Sequence, residues 1–228
     1  MDERTAARAL IEAGRRLGAR GLISAGEGNL SIRLDDERLL CTPSGARKDA
    51  LVEDDLVVVR PDHAPRAARS ANGARPTSDL AIHLAVHGAR LDIQAVAHAH
   101  LPASLALTLA GEVPDPAALP ETALLLPRLP YLPFGEMGSD ELAARIAAAL
   151  TSEPQPFPVA VLLERHGAVA VGATLTQAVD RLELIEVLCR TWRDALLVRA
   201  ARAALGPAAI LGAPTDGASP HHARLEGS

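Results

Sequence analysis

The sequence predicts a single α/β domain, on three observations. At 228 residues, 48% of them hydrophobic, the chain can bury one sizeable core without needing a second. Segments with apolar residues at helical spacing alternate with short β-branched runs bounded by Gly, Pro and Asp. No internal repeat or low-complexity block divides the chain before Gly206.

Taken in order, Ala6, Leu10, Ile11 and Leu17 recur near the helical period from Glu3 onward, and Gly18 with Gly21 stops that helix. "NLSIRL" and "RLLCTP" read as two strands around the turn "DDE", and "LVVVR" at 56–60 as a third. Residues 61–77 mix Pro, Gly, Ser and Arg without periodicity and predict a surface loop. Ser78 is placed to cap a helix running to about Ala89. "IQAVAHAH" then reads as a strand, and "PASLALTLAG" as a helix with Pro in its first turn. The prolines of "LLLPRLPYLPF" predict extended chain. Gly138 and Ser139 open a helix to Leu150, and "VAVLLERHGAVAVG" gives two strands around a turn at Arg165 to Gly167. Thr174 caps a long helix to about Ala204. The domain is therefore expected to span residues 1–205, with a disordered tail over 206–228.

The formal net charge is -5, and the arginines are scattered singly rather than gathered into a stripe, so nucleic acid is not an expected partner. No apolar run reaches the roughly 18 to 20 residues that span a bilayer. "MDERTAARALIEAGRRLG" is amphipathic and charged, without the apolar core of a signal peptide, which predicts a cytoplasmic protein off the membrane. Cys41 and Cys189 stand alone, without a CxxC spacing, and read as small core residues.

The chemistry concentrates in "VAHAHLP". Strand residues two apart share a face about 6.5 to 7 Å apart, so His98 and His100 can reach one ion. An HxH pair alone is also what polar groups at a strand end look like, and a third ligand is needed to decide. His166 supplies it from the turn of "ERHGAV", where Gly167 permits a sharp bend. Three neutral imidazoles with an open position make a catalytic zinc-type site that polarises a substrate oxygen. Asp79, His83 and His87 form a rival set at i, i+4, i+8, but they span roughly 12 Å along a helix, too far to share one ion. His83 and His87 are read as helix-packing residues, or as groups that support the site from behind. His63, His221 and His222 receive no role.

Five stretches together resemble the class II aldolase/adducin family: "GLISAGEGNLSIR", "CTPSGARKDAL", "RPTSDLAIHLAVHGARLDIQAVAHAH", "LPFGEMGSDELAARIAAAL" and "LLERHGAVAVGATLTQAVDRLELIE". The resemblance implies a three-layer α/β/α domain with a central sheet, a homotetramer with active sites at subunit interfaces, and a divalent metal, typically zinc; sites built from three histidines also accept manganese and cobalt. It also puts the metal ligands at the HxH pair and the RHG histidine, the positions of His98, His100 and His166. Where the aldolases carry a glutamate as general acid/base, "TSD" puts Asp79. The residues that cradle a substrate phosphate in that family correspond to Gly28, Asn29, Ser44, Gly45, Thr77 and Ser78.

Two departures bear on the substrate. "AGEGN" places Gly26 where a phosphate-binding Thr is expected and Glu27 beside it, making Glu27 the candidate for specificity; a carboxylate facing a phosphate would repel it unless turned away or offset by Arg47, Lys48 or Arg75. The aldolases also use tyrosines as proton donors, whereas this chain has one tyrosine, Tyr131, with Glu121 and Glu136 as other candidates. The expected activity is a metal-dependent lyase of the sugar-phosphate aldolase type. It would cleave or form a C–C bond beside a carbonyl through a metal-held enediolate, acting on a small-molecule substrate. The alternatives are a decarboxylase of a hydroxylated aromatic or keto acid, a sugar-phosphate 4-epimerase, a dehydratase, and a non-catalytic adducin-like interaction module. The three histidines weigh against the last.

Overall fold

The structure is a computed structural model, and residues 1–209 are described. It holds helices α1 (Glu3–Ala19), α2 (Leu80–Ala89), α3 (Pro102–Leu109), α4 (Pro120–Leu125), α5 (Asp140–Leu150) and α6 (Leu175–Ala209). The strands are β1 (Asn29–Arg33), β2 (Leu39–Cys41), β3 (Val57–Val59), β4 (Ala95–Ala99), β5 (Tyr131–Leu132), β6 (Ala160–Leu163) and β7 (Gly167–Gly172). They form one mixed sheet in the order β3-β2-β1-β4-β7-β6-β5, antiparallel throughout except for the parallel pair β5 and β6.

Strands β4, β6 and β7 are buried at every position, as strands covered on both faces must be. Their alternation sorts the faces. Val96, Val161, Leu163, Val169 and Val171 form one cluster with Ile82 and Val86 of α2 and Leu142, Ile146 and Leu150 of α5. Helices α1 and α3 pack on β1 and β2 and on β7. The result is an α/β domain of helix, sheet and helix layers, as the sequence and the resemblance predict. Arg16 of α1 pairs with Asp180 and Glu183 of α6 at 2.6 and 2.7 Å. Cys41 and Cys189 are buried and free, and burial pushes both thiols up to about 12. Among the described residues, no helix is long and apolar enough to cross a membrane.

Residues up to Trp192 form one compact unit, and α6 carries on from Arg193 in a second. The helix runs to Ala209, beyond the expected end near Ala204, and the predicted tail lies outside the described residues from 210 onward. Two local expectations are corrected. Leu124 and Leu125, read as extended, end the short helix α4, because Pro120 occupies its first turn and the next proline, Pro127, lies beyond its end. Ser78 does not cap α2: Asp79 occupies the cap position, and its carboxylate makes no capping hydrogen bond.

The hairpin between β6 and β7 sets the site. Arg165 and Gly167 adopt φ of 54° and 87°, turning the chain so that His166 leaves the strand end. A Cβ on Gly167 would lie 2.1 Å from the Ala99 carbonyl oxygen, so β7 approaches β4 as closely as it does only because that position lacks a side chain. Gly167→Ala is expected to cost about 3 to 5 kcal/mol in urea unfolding through this backbone clash and the unfavourable φ. A loss below ~1 kcal/mol would show that the turn relaxes without strain.

Candidate active site

The register of β1 on β4 pairs Asn29 with His98, and that of β4 on β7 pairs Ala99 with Ala168. These pairings bring Asn29, His98, His100 and His166 to one end of the sheet, where α2 begins. The Glu186 carboxylate accepts from Ala103 N at 3.1 and 3.2 Å, fastening the start of α3 directly after the HxH strand.

His98, His100 and His166 form a triangle, with ring centroids 4.7 to 5.0 Å apart. Each offers one nitrogen within 4.8 Å of the others. His98 Nδ1–H donates to the Ala168 carbonyl at 3.0 Å, which fixes the tautomer and leaves Nε2 bare. That Nε2 and both ring nitrogens of His166 are buried without a hydrogen-bond partner. Buried polar atoms are rarely left so, and three converging imidazole nitrogens are the donor set of a divalent cation. Burial pushes His98 down to about 3, with His166 and His100 adding to the effect, and also lowers His166, so these two rings are neutral and able to ligate. The residues present therefore fit a divalent metal.

Asp79 is buried beside this triangle. Its Oδ2 accepts from Asn29 Nδ2 at 2.8 Å and lies 4.0 Å from His98 Nε2, while Oδ1 has no partner. Burial disfavours its charge, but the surrounding groups, the Asn29 donor among them, outweigh that and hold the carboxyl below its ordinary range. It is an ionised carboxylate with a free oxygen, at the cap position of α2 but making no capping hydrogen bond.

A cavity of about 220 Å³ opens onto this centre. Every residue proposed from the phosphate cradle lines it: Gly28, Asn29, Ser44, Gly45, Thr77 and Ser78, joined by Glu27, Asp79 and His100. The bridge between Pro43 and Pro76 holds the "TPSG" loop against Thr77. A larger hollow of about 350 Å³ lies between Arg20, Glu183 and Arg190, and its lining holds no histidine.

Of the three cations considered as partners for Glu27, Lys48 alone lines this cavity. Arg47 is exposed and pairs with Asp49 at 2.7 Å, and Arg75 borders a neighbouring hollow. Lys48 is 2% exposed, and its Nζ donates to the Gly26 carbonyl at 2.5 Å. Burial lowers it to about 8, with Asp79 and Glu27 opposing. Glu27 is turned aside: Oε1 accepts from Ser24 N at 2.7 Å and Oε2 lies 3.2 Å from His100 Nδ1. A Cβ on Gly26 would meet the Gly45 carbonyl oxygen at 2.8 Å, so the loop has no room for the Thr expected there.

The other candidates fall elsewhere. Tyr131 lies beside Glu164, and neither it nor Glu121 nor Glu136 lines the cavity. His63 is exposed, and His221 and His222 lie outside the described residues. His83 and His87 are buried behind Asp79 and bond to Ser31. Met137, which the sequence reading passed over, lines the cavity from the loop before α5; an exposed apolar residue in a Gly-rich loop carries no signal that would single it out.

Comparison with known proteins agrees with this picture. The model of the Class II Aldolase and Adducin N-terminal domain matches residues 8–193. The chain is 30% identical to a 3-oxo-tetronate 4-phosphate decarboxylase of Haemophilus influenzae over 78% of its own length and 81% of the relative's. It is 32% identical to a methylthioribulose-1-phosphate dehydratase of Acidiphilium cryptum, over 80% and 87%. Among solved structures, an L-fuculose-1-phosphate aldolase from Thermus thermophilus superposes with a TM-score of 0.72 at 27% identity, covering 86% of this chain and 96% of that one. A family match running through nearly all of the first compact unit, on a fold that gathers the same end of the sheet into one cavity, makes this chain a member of the class II aldolase and adducin N-terminal domain family.

Proposed function

We propose that the protein is a divalent-metal-dependent lyase that cleaves or forms a C–C bond beside the carbonyl of a small, anionic polyhydroxy substrate, in the manner of a sugar-phosphate aldolase. The observation that carries this reading is a histidine triangle with three buried imidazole nitrogens lacking partners, beside a cavity that gathers His100, a carboxylate with an unpartnered oxygen, and a buried lysine among backbone and hydroxyl donors. His98, His100 and His166 would hold Zn2+, or Mn2+ or Co2+, which when bound supplies Lewis acidity toward the substrate carbonyl. Asp79 takes the proton of the hydroxyl carried by the far carbon of the scissile bond, the one β to the carbonyl. That oxygen becomes the carbonyl of one product, and the bonding electron pair moves to the carbon beside the original carbonyl. Lys48 and the donors of Ser44, Gly45, Thr77 and Ser78 hold the anionic end, most simply a phosphate. Glu27 lines the same cavity with its carboxylate engaged by Ser24 N and His100, and it bears on specificity through His100.

The three named relatives act on phosphorylated compounds, and Lys48 supports the same for this chain. A keto-acid decarboxylase is the second reading, favoured because no tyrosine lines the cavity to serve as proton donor. The reading extends to a cytoplasmic homotetramer, in which a neighbouring copy would supply the missing acid.

The test is a panel of ketose 1-phosphates, pentulose 5-phosphates, phosphorylated keto acids and dihydroxylated aromatic acids, assayed with the zinc-loaded protein. Retro-aldol products from a ketose phosphate are expected. Carbon dioxide alone would replace this reading with the decarboxylase, and the absence of both metal and turnover would leave the interaction module. Lys48→Met should raise KM for the phosphorylated substrate about 10- to 100-fold, the worth of a charge-assisted contact. The wild-type KM should rise as pH passes about 8, where Lys48 loses its proton; a variant with the wild-type pH profile would remove Lys48 from anion binding.

A further inference from the structure

Behind Asp79, from Asn29 in the cavity wall to the partly buried Arg33, runs a line of polar side chains that takes no step in the proposed chemistry. On β1, residues 29, 31 and 33 point to one face, advancing about 6.6 Å per pair. On α2, residues 79, 83 and 87 share a face, advancing about 6 Å per four. Two ladders of nearly equal pitch therefore lie against each other, and their rungs interleave. Arg33 Nη2 lies 3.4 Å from His87 Nδ1, and His87 Nε2 lies 3.0 Å from Ser31 Oγ. Ser31 Oγ lies 2.6 Å from His83 Nδ1, and His83 Nε2 lies 2.7 Å from Asn29 Oδ1. Asn29 Nδ2 donates to Asp79 Oδ2 at 2.8 Å.

The two ends fix every proton between them. A guanidinium only donates: Arg33 Nη2 holds the His87 backbone carbonyl at 2.5 Å and turns its second proton toward His87 Nδ1, whose ring then donates from Nε2–H to Ser31. The Ser31 hydroxyl then donates to His83 Nδ1, and His83 Nε2–H donates to Asn29 Oδ1. A carboxylate only accepts, so starting from Asp79 gives the same directions. Burial keeps both rings neutral, with His83 pushed down to about 4 and His87 to about 3, which is the one charge state in which each ring accepts on one side and donates on the other. Apolar residues would hold α2 on β1 without the cost of burying polar groups. What the polar seam adds is direction and rigidity at Asp79, each bond polarising the next.

We propose that Arg33, His87, Ser31, His83 and Asn29 form a one-way hydrogen-bond relay that positions the Asp79 carboxylate, with His83 as its central positioning residue. The catalytic part of this inference rests on the reading of Asp79 as the base. The test uses the full-length, zinc-loaded protein and two substitutions. His83→Gln keeps a donor where Nε2 was and so serves Asn29; His83→Asn keeps polar atoms only where Nδ1 was and serves Ser31 alone. In the wild type, 15N chemical shifts of the imidazoles should report His83 and His87 protonated on Nε2 with Nδ1 bare, and the Asn29 side-chain amide should exchange slowly with solvent. His83→Asn should speed that exchange at least about 10-fold and, on a substrate found by the panel, lower kcat at least about 10-fold with KM and bound zinc unchanged. His83→Gln should restore most of both. A proton on Nδ1 of either histidine in the wild type overturns the relay, as does an equal loss of kcat in both variants. Should the wild type turn over no substrate, the functional reading fails, and the tautomers with the Asn29 exchange rate still decide the relay.

Discussion

His98→Ala is expected to abolish stoichiometric binding of a divalent ion and to lower turnover by about 10³-fold or more, the several kcal/mol that a Lewis acid contributes at a reacting carbonyl. The ring of His98 is fully buried, its Nδ1–H is fixed on the Ala168 carbonyl, and its bare Nε2 faces both Asp79 and the other two imidazoles. Two imidazoles remain in the variant, one of them partly exposed, and they lack the third corner of the triangle. Metal analysis of the purified proteins measures the ion directly, and unfolding measures it independently. A ligand that binds only the folded state stabilises it by about 4 kcal/mol at 1,000 times its dissociation constant. A chelator should therefore lower the wild-type Tm and leave that of the variant unchanged. If the variant keeps one ion per chain, or if chelation leaves the wild-type Tm where it was, the histidine triangle is not the metal centre.

That triangle was legible in the sequence because each corner is a local signal. Strand alternation puts His98 and His100 on one face, and the glycine after His166 marks the bend that frees it. The helix starts at Ser139 and Thr174 were legible for the same reason, since capping is a matter of three residues: Ser139 accepts from Leu142 N and Thr174 from Gln177 N. What could not be read depends on register between distant strands. Nothing near Asn29 states that it pairs with His98, and nothing in "NLSIR" states that Asn29, Ser31 and Arg33 lie against α2 rather than in water. His83 and His87 were correctly spaced to share a face, but whether that face met a metal, a core or a polar strand was a tertiary question. The same holds for Lys48, one of three plausible cations in sequence and the one that the packing of the "TPSG" loop buries inside the cavity.

Asp79→Asn is expected to lower kcat by about 10²- to 10⁴-fold while the metal stays bound and the fold becomes no less stable. The two roles open to this residue give opposite results, which makes the substitution decisive. A residue that caps α2 through its side chain would cost about 0.5 to 2 kcal/mol on loss of its acceptor, with activity falling only as the helix end frays. A buried base leaves the neutral amide cheaper to bury than the carboxylate, so stability holds or rises as turnover disappears. The geometry favours the second: no capping bond is made, Oδ2 is held by Asn29, and Oδ1 is unpartnered. The amide retains an oxygen for the Asn29 donor, so the carboxylate's neighbours remain in place and the loss is one of proton affinity. Asp79→Glu, one methylene longer, restores the charge at a changed reach and should recover more activity than the amide does. Because the carboxyl is held below its ordinary range, Asp79 should add no acid limb to kcat above about pH 5 when bound metal is kept constant, and an acid limb near pH 6 under that condition would assign the proton transfer to another group. A variant that loses stability and keeps its turnover would return Asp79 to the role of a helix terminus.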